Sequence, residues 1–124
     1  MTKNEFIQLS SLNVGSKIVT NRGSVRELAE FVENQMGFGM RFRGIDSKSG
    51  TYNSINKYIY LSEINSLLEY LHLNKKVTFH DVANFVNANT KGGCVTLVTV
   101  EIVVNYLKFA IVNYESKIIY LKNE

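Results

Sequence analysis

Residues 78–108, TFHDVANFVNANTKGGCVTLVTVEIVVNYLK, decide the fold, because they are expected to form two consecutive helices joined by a glycine-containing turn. Thr78 is suited to be a helix N-cap, and Asp81 three residues later lies beside the positive end of the helix dipole. The spacing predicts a helix over about 79–89. Residues 89–93, NTKGG, predict the turn.

The second helix of this stretch is less obvious from composition. Residues 94–114 contain many Val, Ile, Thr and Tyr, which favour strand, but the run is too long for one ordinary strand. Polar side chains recur three and four residues apart at Glu101, Asn105 and Lys108, which is a helical spacing. We therefore expect a helix at about 96–108, although composition alone leaves open whether the whole run is helix or strand.

Further elements are predicted on both sides of this pair. Upstream, Ser62 can cap a helix that runs to about His72, with leucine and isoleucine side chains on one face. Downstream, FAIVNY and KIIYLK flank Glu115 and Ser116, a pattern that predicts a β-hairpin at the end of the chain.

The first half of the chain contains two capping-box patterns, each an N-cap residue followed by glutamate three positions later. The first, starting at Thr2, predicts a short helix to about Ser11, and a short strand is expected at 17–20. The second pairs Ser24 with Glu27, and apolar residues then follow at helical spacing. It predicts a helix over about 24–36, which Gly37 would end.

An alternating pattern follows that glycine. Phe38, Met40 and Phe42 alternate with smaller or charged residues, so they should share one face of a strand while Arg41 and Arg43 share the other. The segment DSKSGTYNSIN is expected to be a polar loop, and KYIYL, 57–61, the returning strand of a two-stranded antiparallel ribbon.

Composition limits the classes of function. With 124 residues, 45% of them apolar, the chain is expected to form a single domain over 1–124 of the α+β class. A single cysteine excludes an internal disulfide, and the first residues lack a secretion signal, so we expect a soluble protein of the reducing cytoplasm, without a membrane segment. The net charge of +3 comes from residues 1–60, with eight Lys or Arg against five Asp or Glu, whereas residues 61–124 have six of each.

The predicted order from residue 62 onward, helix, helix, turn, helix and hairpin, resembles the winged helix-turn-helix of small bacterial, phage and archaeal-virus transcription regulators. The resemblance covers about half of the chain and implies a winged-helix-like portion, 61–124, on which we expect an α/β portion, 1–60, with a basic β-ribbon to pack. It also implies that 96–108 is a recognition helix entering the major groove of DNA, and that Tyr114 to Lys117 is the tip of the wing.

The leading expectation is therefore a DNA-binding transcriptional regulator of a phage, virus or other mobile element, non-enzymatic and homodimeric. Its candidate contacts to DNA, or to an acidic protein partner, are Arg41, Arg43, Arg22, Arg26, Lys91, Asn105, Lys108 and Lys117. Arginine pairs well with phosphates and carboxylates, and the asparagine is suited to reading a base edge. No cofactor and no metal are expected.

Two alternatives stay open. A winged-helix-like scaffold can also serve as a protein-binding inhibitor or accessory protein, and Tyr52, Tyr58 and Tyr60, near the arginines of the ribbon, could contact a protein or stack on bases. The stretch MGFGMRFRG, 36–44, is similar in part to the first ribonucleoprotein motif of RNA-recognition domains, which implies an RNA-binding module.

Catalysis is not expected from this sequence. It contains no catalytic triad signature, no cofactor loop and no set of His and Cys residues at metal-ligand spacing. We expect His80 to lie on a helix surface and Cys94 to be a small buried residue.

Overall fold

The computed structural model of the protein describes residues 1–20, 23–88 and 93–122. The elements in these ranges are, in chain order, α1 (Lys3–Ser10), β1 (Lys17–Val19), β2 (Val25–Asn34), β3 (Gly37–Ile45), β4 (Tyr52–Tyr60), α2 (Leu61–Asn74), β5 (Lys76–Thr78), α3 (Phe79–Phe85), α4 (Cys94–Tyr106), β6 (Ala110–Asn113) and β7 (Ile118–Leu121). One antiparallel sheet has the strand order β1-β2-β3-β4 and a second has the order β5-β7-β6. The α+β class is therefore confirmed.

The helix predicted over 24–36 is wrong, because these residues form β2, which pairs with β1 on one side and β3 on the other. A β-bulge between Leu28 and Glu30 explains the misleading pattern. The extra residue shifts the alternation, so that Leu28 and Phe31, three positions apart, both lie opposite core residues of β3. The same bulge puts Glu27 and Glu30 on the other face of the sheet.

Strand β3 alternates as predicted. Met40 and Phe42 are fully buried, whereas Arg41 and Arg43 lie on the opposite face. Two features of the predicted ribbon are wrong: β3 is an inner strand of a four-stranded sheet, and β4 begins at Tyr52, so the polar loop before it ends at residue 51. Gly37, with a φ of 104°, lies in the tight turn between β2 and β3 and does not end a helix.

In the second half, the predicted helices α2, α3 and α4 and the final hairpin are all present. The N-cap of α3 is confirmed, since Thr78 and Asp81 exchange the hydrogen bonds of a capping box. The predicted N-cap of α2 at Ser62 is wrong, because the cap residue is Tyr60. Strand β5 is not predicted from the sequence, because it forms by pairing with β7, which lies about 40 residues later in the chain. Helix α3 ends at Phe85, earlier than predicted, and residues 89–92 of the predicted turn lie outside the described residues.

One apolar core connects the two halves of the chain. Buried side chains of β2, β3 and β4 belong to the same cluster as those of α2, α3 and α4, with Phe6 of α1 and Ile119 of β7 also inside it. The two long helices thus pack on the inner face of the four-stranded sheet, opposite the face of Arg41 and Arg43. Among the described residues, none of the helices combines the length and the apolar character needed to cross a bilayer.

Candidate functional site

Helix α4, predicted as the recognition helix, is a core element over most of its surface. Eight of its side chains are buried, including Thr96, Thr99 and Ile102. The predicted polar stripe is exposed at Glu101 and Asn105, whereas Lys108 lies beyond the end of the helix. The helix therefore offers a narrow strip to a partner, because α1, α2, α3 and β4 pack around it.

The outer face of the four-stranded sheet brings together the two arginines of β3 and the tyrosines of β4. Arg41 and Arg43 lie opposite Tyr58 and Asn56 on β4. On the other side they lie opposite Glu30 and Glu27 on β2, respectively. We call the outer side chains Arg41, Arg43, Tyr52, Asn56, Tyr58 and Tyr60 the tyrosine face.

The Arg43 guanidinium is held by hydrogen bonds to Glu27 and Tyr52 and by a contact with the Tyr52 ring. Its Nη2 and Nε atoms donate to Oε1 of Glu27 at 2.7 and 3.1 Å, and Nη2 also donates to the Tyr52 hydroxyl at 2.7 Å. The guanidinium carbon lies 3.6 Å from the centre of the Tyr52 ring, a cation–π contact. Hydrogen bonding to Arg43 lowers the pKa of the Glu27 carboxyl, and the same bond raises the pKa of Arg43. Glu27 is buried, so this is a fixed ionic cluster.

Arg41 is fixed in a similar way, but its carboxylate partner, Glu30, is exposed. Its Nε donates to Glu30 at 3.3 Å and its Nη1 donates to the Asn56 side-chain oxygen at 3.0 Å. The charge of each arginine is thus offset by a carboxylate of β2. Sequence reasoning predicted the two arginines to be side by side, but it missed Glu27 and Glu30, because both were assigned to a helix.

The tyrosines of β4 are also ordered. The rings of Tyr58 and Tyr60 stack with their centres 5.6 Å apart and an interplanar angle of 1°. Tyr60 accepts a hydrogen bond from the Asn34 side chain at 3.2 Å, whereas the Tyr58 hydroxyl has no partner in the described part of the chain. Tyr52 is 55% exposed. The face therefore offers pre-oriented aromatic surface, and the Tyr58 hydroxyl can bond a partner.

A cleft of about 360 Å³ adjoins the tyrosine face where β4 leads into α2. Its lining includes Tyr58 and Tyr60 together with Glu63, Val86 and Asn87. Burial raises the pKa of the Glu63 carboxyl to about 7, although the carboxylate accepts a hydrogen bond from the Tyr60 backbone N–H at 3.3 Å. Sequence reasoning did not identify Glu63, because its burial comes from packing between the two halves.

The remaining predicted site residues do not join the tyrosine face. Arg26 precedes Glu27 in β2 and so lies on the inner side of the sheet, half-buried, with Nη1 donating to the Val25 carbonyl at 3.1 Å. Lys117 is exposed at the tip of the final hairpin, with a φ of 56°. Arg22 and Lys91 lie outside the described residues. The structure therefore groups Arg41 with Arg43 and places Lys108 and Lys117 on other elements.

His80, Asp81 and Cys94 lie on α3 and at the start of α4. Asp81 completes the capping box of α3, and His80 is exposed and Cys94 buried, as predicted. Burial raises the pKa of the Cys94 thiol to about 11, against the weaker opposing effect of the Arg26 charge. Within residues 1–20, 23–88 and 93–122, no three His, Cys, Asp or Glu side chains are grouped so that they could hold a metal ion.

Comparison of the chain with protein-family models, with curated proteins and with solved structures found no match.

Proposed function

We propose that the protein is a non-enzymatic, protein-binding inhibitor or accessory protein that contacts its partner through the tyrosine face. The observation that carries this proposal is the pre-oriented set of Arg41, Arg43 and three tyrosines on the sheet face opposite the core. Tyrosine and arginine are the residue types enriched at the energetically dominant positions of protein interfaces.

The fixed geometry lowers the entropic cost of binding. Ordering a free side chain at an interface costs about 0.5–1.5 kcal/mol, and Arg43, Tyr52 and Tyr60 are already ordered by hydrogen bonds or stacking. Binding of a partner would therefore add contacts to the exposed ring surfaces without a comparable loss of side-chain freedom.

The charge distribution favours a protein partner over nucleic acid. Nucleic-acid affinity comes largely from lysine and arginine side chains that neutralise phosphates. On the tyrosine face, the salt bridges to Glu27 and Glu30 already offset the two arginine charges. The aromatic side chains of the stretch similar to the ribonucleoprotein motif lie on the opposite side of the sheet, where Phe42 is in the core and Phe38 packs against it, so they offer little ring surface to RNA bases.

A DNA-binding regulator is the second candidate, and the topology of the second half favours it. The order α2, β5, α3, α4, β6, β7, with β7 between β5 and β6, is the order of a winged helix-turn-helix. In that arrangement the exposed Lys117 of the hairpin would contact phosphate. The small exposed strip of α4, with Glu101 in it, supplies little base-reading surface.

The two candidate functions predict different effects of salt concentration, of Tyr58→Ala and of Lys117→Glu on binding. The immobilised chain is tested for capture of proteins from cells that carry its gene, and separately for binding of random duplex and single-stranded DNA, at about 0.15 M and about 0.5 M salt. We expect the wild type and Tyr120→Ala to retain the same captured protein at both salt concentrations. Tyr58→Ala should not retain it. Tyr120 is a matched control because it is a partly exposed tyrosine of the other sheet.

DNA binding that weakens steeply with salt and with Lys117→Glu, but not with Tyr58→Ala, would replace the first proposal by the second. Capture that is equal for wild type and Tyr58→Ala would remove the tyrosine face from the interface.

A further inference from the structure

A second cleft, of about 450 Å³, lies where the carboxyl ends of α2 and α4 meet the base of the final hairpin. It shares no residue with the tyrosine face or with the cleft beside Glu63. Its volume is within the range of about 300–1,000 Å³ that is usual for small-molecule sites.

The lining combines cations with aromatic and aliphatic surface. Lys75, Lys108 and Lys122 line the cleft together with His72, and no Asp or Glu is among the described lining residues. Within the described part of the chain, none of the three lysines forms a salt bridge. Tyr106, Phe109 and Leu121 supply the apolar part, and Phe109 is 53% exposed. A cleft of this kind is suited to a ligand with an anionic group and an apolar body.

The backbone around the cleft is held by hydrogen bonds between distant segments. The Leu121 N–H donates to the Lys75 carbonyl at 3.0 Å, and the Lys122 N–H donates to the Phe109 carbonyl at 2.8 Å. The Ala110 N–H donates to the Leu107 carbonyl at 2.9 Å. These bonds fix the positions from which the lysine side chains extend, and they occupy carbonyl oxygens that would otherwise repel an anion.

Lys75 lies in an unfavourable backbone conformation at the end of α2. Its φ of 63° is in the left-handed region, which glycine adopts far more readily at a helix C-terminus. Lysine near a helix C-terminus complements the helix dipole, but that effect does not require the left-handed position or the neighbouring aromatic surface.

We propose that this cleft binds a small amphipathic anion, a carboxylate or phosphate ester attached to an aromatic or short aliphatic body. The lysines bind the anionic group, and Tyr106, Phe109 and Leu121 contact the body. The inference is independent of the proposed protein-binding function, since either surface could be altered without the other.

The test is titration of the isotope-labelled full chain, followed by the backbone amide signals. The compounds are phenyl phosphate, benzoate, inorganic phosphate, phenol and benzylamine. We expect phenyl phosphate or benzoate to shift the signals of the cleft residues in a saturable way, and their comparison shows which anion is preferred. Phenol and inorganic phosphate should bind at least about tenfold more weakly, because phenol lacks the anionic group and inorganic phosphate lacks the apolar body. Benzylamine, which carries a cation instead of an anion, should not bind.

Variants connect the binding to the named side chains. Lys108→Gln with Lys122→Gln should weaken phenyl phosphate binding at least about tenfold, whereas Lys117→Gln, the control at the far end of the hairpin, should not. Lys75→Gly should also weaken binding while keeping or raising the melting temperature. The proposal is overturned if benzylamine or phenol binds as tightly as the tighter-binding of phenyl phosphate and benzoate. It is also overturned if neither of these two anions shifts the cleft signals, or if the double variant binds the preferred anion like the wild type.

Discussion

Substitution of Thr96 by valine should stabilise the protein, and the reason lies in the burial of α4. The side chain is 2% exposed, and its hydroxyl has no hydrogen-bond partner in the described part of the chain. Valine has nearly the same shape and a similar helix propensity. The substitution therefore removes a buried, unsatisfied polar group and changes little else.

Thr99 supplies a matched control on the same helix. It is 0% exposed, but its hydroxyl donates to the Val95 carbonyl at 2.9 Å. Burial of a hydroxyl without a partner costs about 1–3 kcal/mol in proteins, whereas an intact hydrogen bond contributes about 0.5–1.5 kcal/mol net. We expect Thr96→Val to raise the free energy of unfolding by about 1–2 kcal/mol and Thr99→Val to change it by less than about 0.5 kcal/mol, since the lost bond is offset by the added buried methyl group.

Urea unfolding followed by circular dichroism measures both changes as shifts of the midpoint at constant slope. In thermal unfolding, the gain for Thr96→Val corresponds to about 3–8 °C. Neither substitution should change partner binding, because neither side chain reaches the surface. A Thr96→Val protein no more stable than the wild type, or equal gains for the two variants, would refute the assignment of α4 as a buried helix with one unsatisfied hydroxyl.

Three further predictions concern ionisable groups. Because the pKa of Glu63 is raised, the folded chain binds the carboxyl proton more tightly than the unfolded chain does. The stabilising contribution of this proton is complete below pH 4.5 and is lost as the pH rises through about 7. Glu63→Gln should remove this pH dependence of the free energy of unfolding, which urea unfolding across the same pH range measures. Cys94, buried and with a pKa of about 11, should react with a thiol reagent at pH 8 only after unfolding, and Cys94→Ala should cost about 1 kcal/mol without affecting binding. Arg43→Met should lower the melting temperature more than Arg41→Met does, because it leaves the buried Glu27 carboxylate without its ion-pair partner. Adding Glu27→Gln to Arg43→Met should recover part of the loss. Equal effects of the two single variants would contradict the assignment of Arg43 and Glu27 to a fixed ionic cluster.

Local signals in the sequence predicted elements whose determinants lie within a few residues. The capping boxes at Thr2 and Thr78 start α1 and α3, and alternation identified the buried and exposed faces of β3. The three helices and the hairpin of the second half followed from their periodicity. In each case the chain segment itself contains the hydrogen-bonding side chain or the apolar period that specifies the element.

The capping pattern at Ser24 and Glu27 shows where local reasoning fails. The sequence spacing fits a helix, yet the bulge near Ala29 lets the same spacing satisfy a strand, and pairing with β1 and β3 decides between them. A segment of this length forms a helix or a strand according to the contacts that surround it, because intrinsic propensities differ by less than those contacts contribute.

The sequence by itself determined the class of the fold, the second half's order of helices and hairpin, and the position of Arg41 and Arg43 on one strand face. Only the tertiary structure decided that Glu27 and Glu30 offset those arginines, that Glu63 is half-buried beside a cleft, and that α4 is covered on most of its surface. The physical reason is the range of the interactions. Caps and periodic faces depend on neighbours along the chain, whereas ion pairing and burial depend on residues that come together only when the sheet and the helices pack.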